Sequence, residues 1–212
     1  MQVEVYCGGA VETNGYLLIR DTAALVVDAP EGMLAWLRKR CAESGVRVAG
    51  LLLTHGHWDH VMDAAAIQKE LGMPTLIHRD SAPLIENPAI QANYNPFDLE
   101  PCKASRIVDD EKKMKISGFN FDLLHCPGHC PGSLGFYFED EGMLFGGDVL
   151  FAGAVGRWDL PGGSQKQLME SIGKNILTLP DETHVYSGHG PATTVGKERR
   201  GNPYIAGLCA KS

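Results

Sequence analysis

The apolar run Val48-Ala-Gly-Leu-Leu-Leu53 reads as a buried strand, and the six residues from His55 to His60 that follow it hold His55, His57, Asp59 and His60. Few folds tolerate this. So many polar groups close together at the end of a buried strand are costly unless a cation satisfies them. Imidazole nitrogen and carboxylate oxygen are the donors that zinc and similar borderline cations take. Side chains alternate along an extended segment, so His55 and His57 point the same way and can share one ion. Asp59 and His60 fall where the next helix begins. Its apolar positions Val61, Ala64, Ala65, Ile67 and Leu71 recur at helical spacing, which aims the two polar residues toward a neighbouring second ion.

The rest of the chain bounds the answer. Its 212 residues, 44% of them apolar, can bury one sizeable core, so a single domain over 1–212 is expected. No apolar run approaches the roughly 18 residues of a membrane span, and the first residues lack the basic and apolar regions of a signal peptide; the expected location is the cytoplasm. The six cysteines form no CxxC pair and read as mostly buried thiols. A net charge of −7 argues against a nucleic-acid surface. The one locally basic run, Lys197-Glu-Arg-Arg200, is either a solvated surface or, lying just beyond His189, a partner for an acidic substrate group.

Strand patterns cover Gln2–Tyr6, Tyr16–Ile19 and Ala24–Asp28; a helix spans Met33–Ala42; a second runs unbroken from about Asp59 to Gly72, and Pro74–His78 is again a strand. The stretch 79–105 has no clean period and reads as an insertion. Strands at Arg106–Val108, Lys112–Ile116, Asn120–Leu124, Ser133–Phe138 and Met143–Phe145 suggest an antiparallel meander. A helix over Gln165–Leu177 and a strand over His184–Tyr186 close the regular pattern, leaving Thr193–Ser212 as a tail.

Four further segments place a ligand-type residue in a Gly or Pro turn after a strand: His129 in Pro127-Gly-His, Asp148 in Gly147-Asp-Val-Leu-Phe151, Arg157 in Gly156-Arg-Trp-Asp-Leu-Pro-Gly-Gly163, and His189 in Gly188-His-Gly-Pro191. Taken singly, each reads as a turn or cap residue. In order and spacing, with Thr54-His-x-His-x-Asp-His60, they resemble the metallo-β-lactamase fold superfamily from about Asn14 to Pro203. Within it, the Gly-Arg-x-Asp-Leu-Pro-Gly-Gly and Gly-His-Gly-Pro-x-Thr-Thr runs are most similar to short bacterial glyoxalase II-type hydrolases.

The resemblance implies an α/β fold, a four-layer αββα sandwich, with two divalent metal ions, zinc or else iron or manganese. His55, His57 and His129 would hold the first ion, Asp59, His60 and His189 the second, and Asp148 would bridge them. By the same resemblance Asp59 would also orient the water; Asp28, from its own position at the end of a strand before a turn, reads as a support for a neighbouring loop or ligand. Cys130 stands where the family commonly has Thr; it reads as a small buried residue or as an oxidisable thiol. His78, His125 and His184 match no ligand position and read as ordinary strand histidines.

Two divalent ions, two carboxylates and a hydroxide leave about one formal positive charge, which favours a small anionic substrate. The implied reaction is attack of a metal-bridging hydroxide on a thioester such as S-lactoylglutathione. Longer glyoxalase II enzymes carry a C-terminal helical glutathione-binding domain, for which Gly190–Ser212 leaves no room. Arg157, with Lys197, Arg199 or Arg200, would then meet the substrate carboxylate, unless Arg157 pairs with Asp159 and shapes its loop. The rival reading is a mononuclear-iron persulfide dioxygenase using His55, His129 and Asp148. Lactonase, phosphodiesterase or β-lactamase activity ranks third, and a non-catalytic binding module comes from another class. No membrane partner is expected.

Overall fold

Alternation along the strands decides which layer each side chain joins. A computed structural model describes residues 1–209, apart from the side chains at 207 and 209; the end of the predicted tail, and the Cys209 thiol, lie outside the described residues. The first sheet contains β1 (Gln2–Gly8), β2 (Thr13–Arg20), β3 (Ala23–Val27), β4 (Arg47–Leu52), β5 (Thr75–His78) and β6 (Arg106–Val108), bonded in that order. Its first three strands are antiparallel and its last four parallel. The second sheet joins β7 (Lys113–Ile116), β8 (Phe119–His125), β9 (Leu134–Phe138) and β10 (Met143–Gly147) as a meander. After a separate small hairpin of β11 (Leu150–Phe151) and β12 (Ala154–Val155), the sheet is completed by β13 (His184–Ser187), parallel to β10, and β14 (Thr193–Thr194).

Three hydrophobic layers hold the four structural ones together. Leu17, Val26 and Leu51 of the first sheet meet Met33 and Leu37 of α1 (Met33–Ser44), and Ala64 and Ile67 of a later helix. Their strand neighbours Leu18, Val27 and Leu52 point the other way, into Phe121, Phe136, Phe138 and Phe145 of the second sheet. Tyr137, Leu144 and Val185 face outward again, onto Leu168 and Ile172 of the helical segment near the C-terminal third. Strands buried on both faces read as continuous apolar runs, which is why β3 and β4 show no polar alternation. The result is the αββα sandwich.

Several elements differ from the sequence reading. The helix after the histidine loop is two pieces, α2 (Trp58–Val61) and α3 (Ala64–Leu71). The break falls at Asp63, whose backbone N–H donates to the Ala29 carbonyl (2.9 Å) and whose carboxylate accepts from Leu34 N (2.8 Å). Strand β6 leaves the expected meander and pairs with β5 in the first sheet. The stretch 79–105 is therefore the crossover between two parallel neighbours. It carries α4 (Ala82–Glu86) and a 3-10 turn at Pro88–Gln91, and it is bolted to the histidine loop by buried Gln91, which donates to Gly56 O (2.7 Å) and accepts from Trp58 N (2.9 Å).

Helix α5 (Gln165–Ser171) runs on through a π turn at Ile172–Ile176. The expected tail holds α6 (Val195–Gly201), capped by the Thr194 hydroxyl, and a last turn α7 (Ala206–Cys209). Glu198 on α6 is buried; it accepts from Thr193, from Asn202 and from the backbone N–H of Gly153 in the β11–β12 hairpin. Among the described residues no helix is long and apolar enough to cross a membrane.

Candidate metal centre

All seven sequence-derived ligand residues meet at one edge of the sandwich. His55, His57, Asp59 and His60 come from the β4–α2 segment of the first sheet. His129 follows β8, Asp148 follows β10 and His189 follows β13 of the second. His55 Nε2, His57 Nδ1 and Asp148 Oδ2 lie 3.2, 2.8 and 3.6 Å from His129 Nε2. Asp59 Oδ2 lies 3.3 Å from His60 Nε2 and 3.2 Å from His189 Nε2. Asp148 faces both groups, with Oδ1 3.3 Å from His60 Nε2 and Oδ2 3.4 Å from His189 Nε2.

The donor set fits cations on two counts. His60 Nε2 and Asp148 Oδ1, 3.3 Å apart, are fully buried and make no hydrogen bond of good geometry with each other or with any other group, an arrangement that costs free energy unless a positive centre satisfies both. The far nitrogens of four imidazoles are also fixed so that their lone pairs face inward. His129 Nδ1–H donates to Arg157 O (2.8 Å) and His189 Nδ1–H to Val11 O (3.1 Å). His60 Nδ1–H donates to Asp28 (2.8 Å). The Thr54 hydroxyl donates to the same carboxylate (2.8 Å) and so accepts from His55 Nδ1–H (3.0 Å). Asp28 thus stands behind one ligand of each group.

Sequence reading missed two other supports. Thr13 donates to Asp59 Oδ2 (2.8 Å), and Asn14 donates to the carbonyls of Ser187 and Gly190 on either side of His189. Only the pairing of the β2 start against the β13 end brings them there, so no local pattern announces them. Gly188 is required by close approach: a Cβ there would lie 2.0 Å from Asp148 Oδ1 and 2.5 Å from the His60 ring. Gly188→Ala is expected to push Asp148 off its place and cost the second ion, read as a fall in metal per chain with the fold retained by circular dichroism. Unchanged metal content would show that the loop yields freely.

The two groups titrate in opposite senses. Burial holds His55 well below the ordinary histidine range, pushes His57 down to about 3 and lowers His129. Burial acts the same way on His60 and His189, but carboxylates outweigh it: Asp59, Asp148 and Asp28 hold His60 well above its ordinary value, and Asp148 and Asp59 raise His189 to about 10. Burial alone would raise Asp59 and Asp148, yet His60 and His189 hold both below the usual carboxylate range.

The sign for acid stability follows from these shifts. The raised pair, His60 and His189, contributes fully below about pH 6.5, and the lowered carboxylates contribute fully above about pH 4. Between those limits the unfolded chain takes up protons at the positions of His55 and His57 that the folded chain refuses, and the lowered His129 and His78 act in the same direction. Each costs up to about 1.4 kcal/mol per pH unit. Chelator-treated protein is therefore expected to show a urea midpoint that falls steadily from pH 6.5 to 4.5; a flat profile would contradict the buried neutral imidazoles.

Of the basic residues weighed for the substrate, Arg157 makes the Asp159 pair expected as its alternative, and the other three stand away from the cleft. Arg157 lines the cleft over the centre, but its guanidinium is held by Asp159 through two bonds (2.8 and 2.9 Å). Arg199 pairs with Asp181 and donates to the carbonyls of Leu177 and Leu179. Arg200 also pairs with Asp181, and Lys197 is exposed on α6; none of these three lines the cleft. The long-range Asp181 contact decides this, and sequence spacing does not show it.

Cys130 is fully buried beside Ser81 and burial raises its thiol, while Cys126 is pushed up to about 12. Cys102 is also buried, Cys41 partly so, and Cys7 is exposed. His78 and His125 stack at 4.0 Å with planes 16° apart, near Asp80. The three bring donor atoms within 4.8 Å of one another, but His78 Nδ1 accepts from the Asp80 N–H (3.2 Å) and His125 Nε2–H donates to Pro131 O (2.9 Å). His184 is exposed on β13.

This fold and this cluster are those of a known class, and the chain belongs to it: the metallo-beta-lactamase superfamily, whose profile matches residues 8–189. Among curated relatives, the probable metallo-hydrolase YqgX of Bacillus subtilis is 33% identical, covering 94% of this chain and 95% of its own length. The hydroxyacylglutathione hydrolase GloC of Haemophilus influenzae is 34% identical, covering 97% and 98%. Among solved structures, the BLEG-1 B3 metallo-beta-lactamase superposes with a TM-score of 0.90 at 34% identity, covering 96% of this chain and 99% of that one. TTHA1623 in a di-iron-bound form gives 0.84 at 35%, covering 95% and 99%.

Proposed function

We propose that the chain hydrolyses thioesters at a dinuclear metal centre. The observation that carries this reading is the convergence of seven donors into two adjoining groups that share Asp148, at the floor of an open cleft. The likeness to a hydroxyacylglutathione hydrolase over nearly the whole chain supports the choice of thioester. His55, His57 and His129 would hold one cation, Asp59, His60 and His189 the other, and Asp148 both. When bound, the cations supply Lewis acidity and ionise water at neutral pH.

The chain's own residues set the stage for that chemistry. Asp28 and Thr54 fix the His55 and His60 rings so that their inward nitrogens stay unprotonated once loaded. Asp59, steadied by Thr13, presents a carboxylate oxygen at the cleft floor and can accept a proton from a water lying there. Crossover residue Tyr94 and loop residue Leu160 form apolar walls beside this floor. Protein loaded with zinc, iron or manganese in turn is expected to release thiol from S-lactoylglutathione or other thioesters with at least one of them. Absence of turnover across a panel of thioesters, with two ions bound per chain, would end this assignment.

A second reading draws on one feature of the same cluster. His55 and His129 with Asp148 make a two-histidine, one-carboxylate set of the kind iron oxygenases use, and iron, though as a pair of ions, is the metal in the TTHA1623 structure. On that reading an iron-loaded chain would oxidise persulfides as a dioxygenase. Oxygen uptake with glutathione persulfide, and no thiol release from thioesters, would favour it.

A further inference from the structure

The cleft above the centre has a volume of about 360 Å³, within the usual range for small-molecule sites. Its floor is the ligand cluster. Its walls are apolar: Val11, Trp58, Tyr94, Phe151 and Leu160. Trp58 packs on Phe97 at 5.1 Å, the Tyr94 ring meets His57 at 5.9 Å and Phe151 meets His189 at 6.2 Å. Tyr94 and Phe151 are thus seated on donors themselves.

Among the lining residues outside the donor cluster Arg157 is the one cation, and it is already bidentate to Asp159. Its Nη1 edge is free, but the Asp159 carboxylate already neutralises the guanidinium and the side chain is largely solvated, so a substrate carboxylate gains little there. The other candidate cations are spent on Asp181 or stand outside the cleft. Recognition away from the metals is left to apolar contact.

We infer that the cleft selects thioesters bearing an uncharged aromatic or branched aliphatic group, on the acyl or the thiol side, over the charged glutathione conjugate. The inference rests on the thioester reading for its reaction: water adds to the carbonyl, a C–O bond forms, the C–S bond breaks, and the thiol leaves with a proton. No oxidant or reductant is needed. Trp58 and Leu160 become specificity-determining residues, and Arg157 a loop-shaping one.

The test crosses two acyl groups with two thiols, giving S-lactoyl and S-phenylacetyl esters of glutathione and of N-acetylcysteamine, assayed with metal-loaded protein. The phenylacetyl ester of N-acetylcysteamine is expected to exceed S-lactoylglutathione in kcat/KM by about tenfold or more, the scale of burying one aromatic ring. The lactoyl ester of benzyl mercaptan, added to the set, shows whether the ring is accepted on the thiol side as well. Leu160→Ala should lower that preference severalfold; Trp58→Leu should do the same, and either variant suffices if the other does not fold.

Calorimetric binding of unreactive thioethers separates the two ideas. S-benzyl-N-acetylcysteamine should bind tighter than S-methylglutathione. If it does while no thioester is turned over, the hydrolysis reading fails and the cleft inference stands. Tighter binding of S-methylglutathione, or a tenfold loss confined to glutathione esters in Arg157→Ala, overturns the cleft inference whatever the turnover.

Discussion

Asp148→Asn is expected to hold about one metal ion per chain or fewer, and to lower thioester hydrolysis on the order of a thousandfold. Asp148 is the side chain that faces both donor groups, with one oxygen 3.3 Å from His60 and the other 3.6 Å from His129 and 3.4 Å from His189. Asparagine keeps the shape but gives up the charge and puts an N–H₂ where one group needs an acceptor. The same change removes one of the carboxylates that raise His60 and His189, so both rings should titrate lower in the metal-free variant. Metal analysis with histidine NMR titration reads both effects. Two ions retained at full occupancy would show that the groups do not share Asp148.

Asp28→Ala is expected to destabilise the fold by about 3–6 kcal/mol, because it strands three buried donors at once. These are Thr54 N–H, the Thr54 hydroxyl and His60 Nδ1–H, each 2.8 Å from the carboxylate. Against a typical domain stability of about 5–15 kcal/mol, that loss leaves a marginal protein. Asp28→Asn is the informative companion. Asp28 has a positive φ of 58°, a conformation Asn also tolerates, and the amide oxygen can still accept from Thr54 N. Its N–H₂ then opposes His60 Nδ1–H, so zinc affinity should fall about 10–100-fold in a chelator competition while the fold persists. An affinity within twofold of the parent would remove Asp28 from the centre.

What could be read in advance divides along chain distance. The His55–His60 cluster is dense and local, so its chemistry is visible without any fold. His129, Asp148 and His189 each sit in a turn that alone says little, and their order along the chain is what linked them. Asp28 stood out because it ends a strand before a turn. Thr13, Asn14 and Gln91 carry no such mark: each acts through a partner that only sheet pairing or the crossover brings near. The arginines of α6 show the same blindness in reverse. Their charge suggested a substrate, while Asp181, well before them in the chain, had already taken it. The helix itself was hidden in a short segment with glycine near each end, and the break at Asp63 depends on the Ala29 carbonyl, which no helical period reports.

Four of the seven donors hang from the first sheet and three from the second, so ions seated among them would rivet the two halves of the sandwich along one rim. Occupancy then adds to cohesion by mass action, since the unravelled polymer offers no such cage. Scarcity of transition ions would deplete the folded population itself, through proteolysis of loosened molecules, before it showed as slower turnover in the survivors.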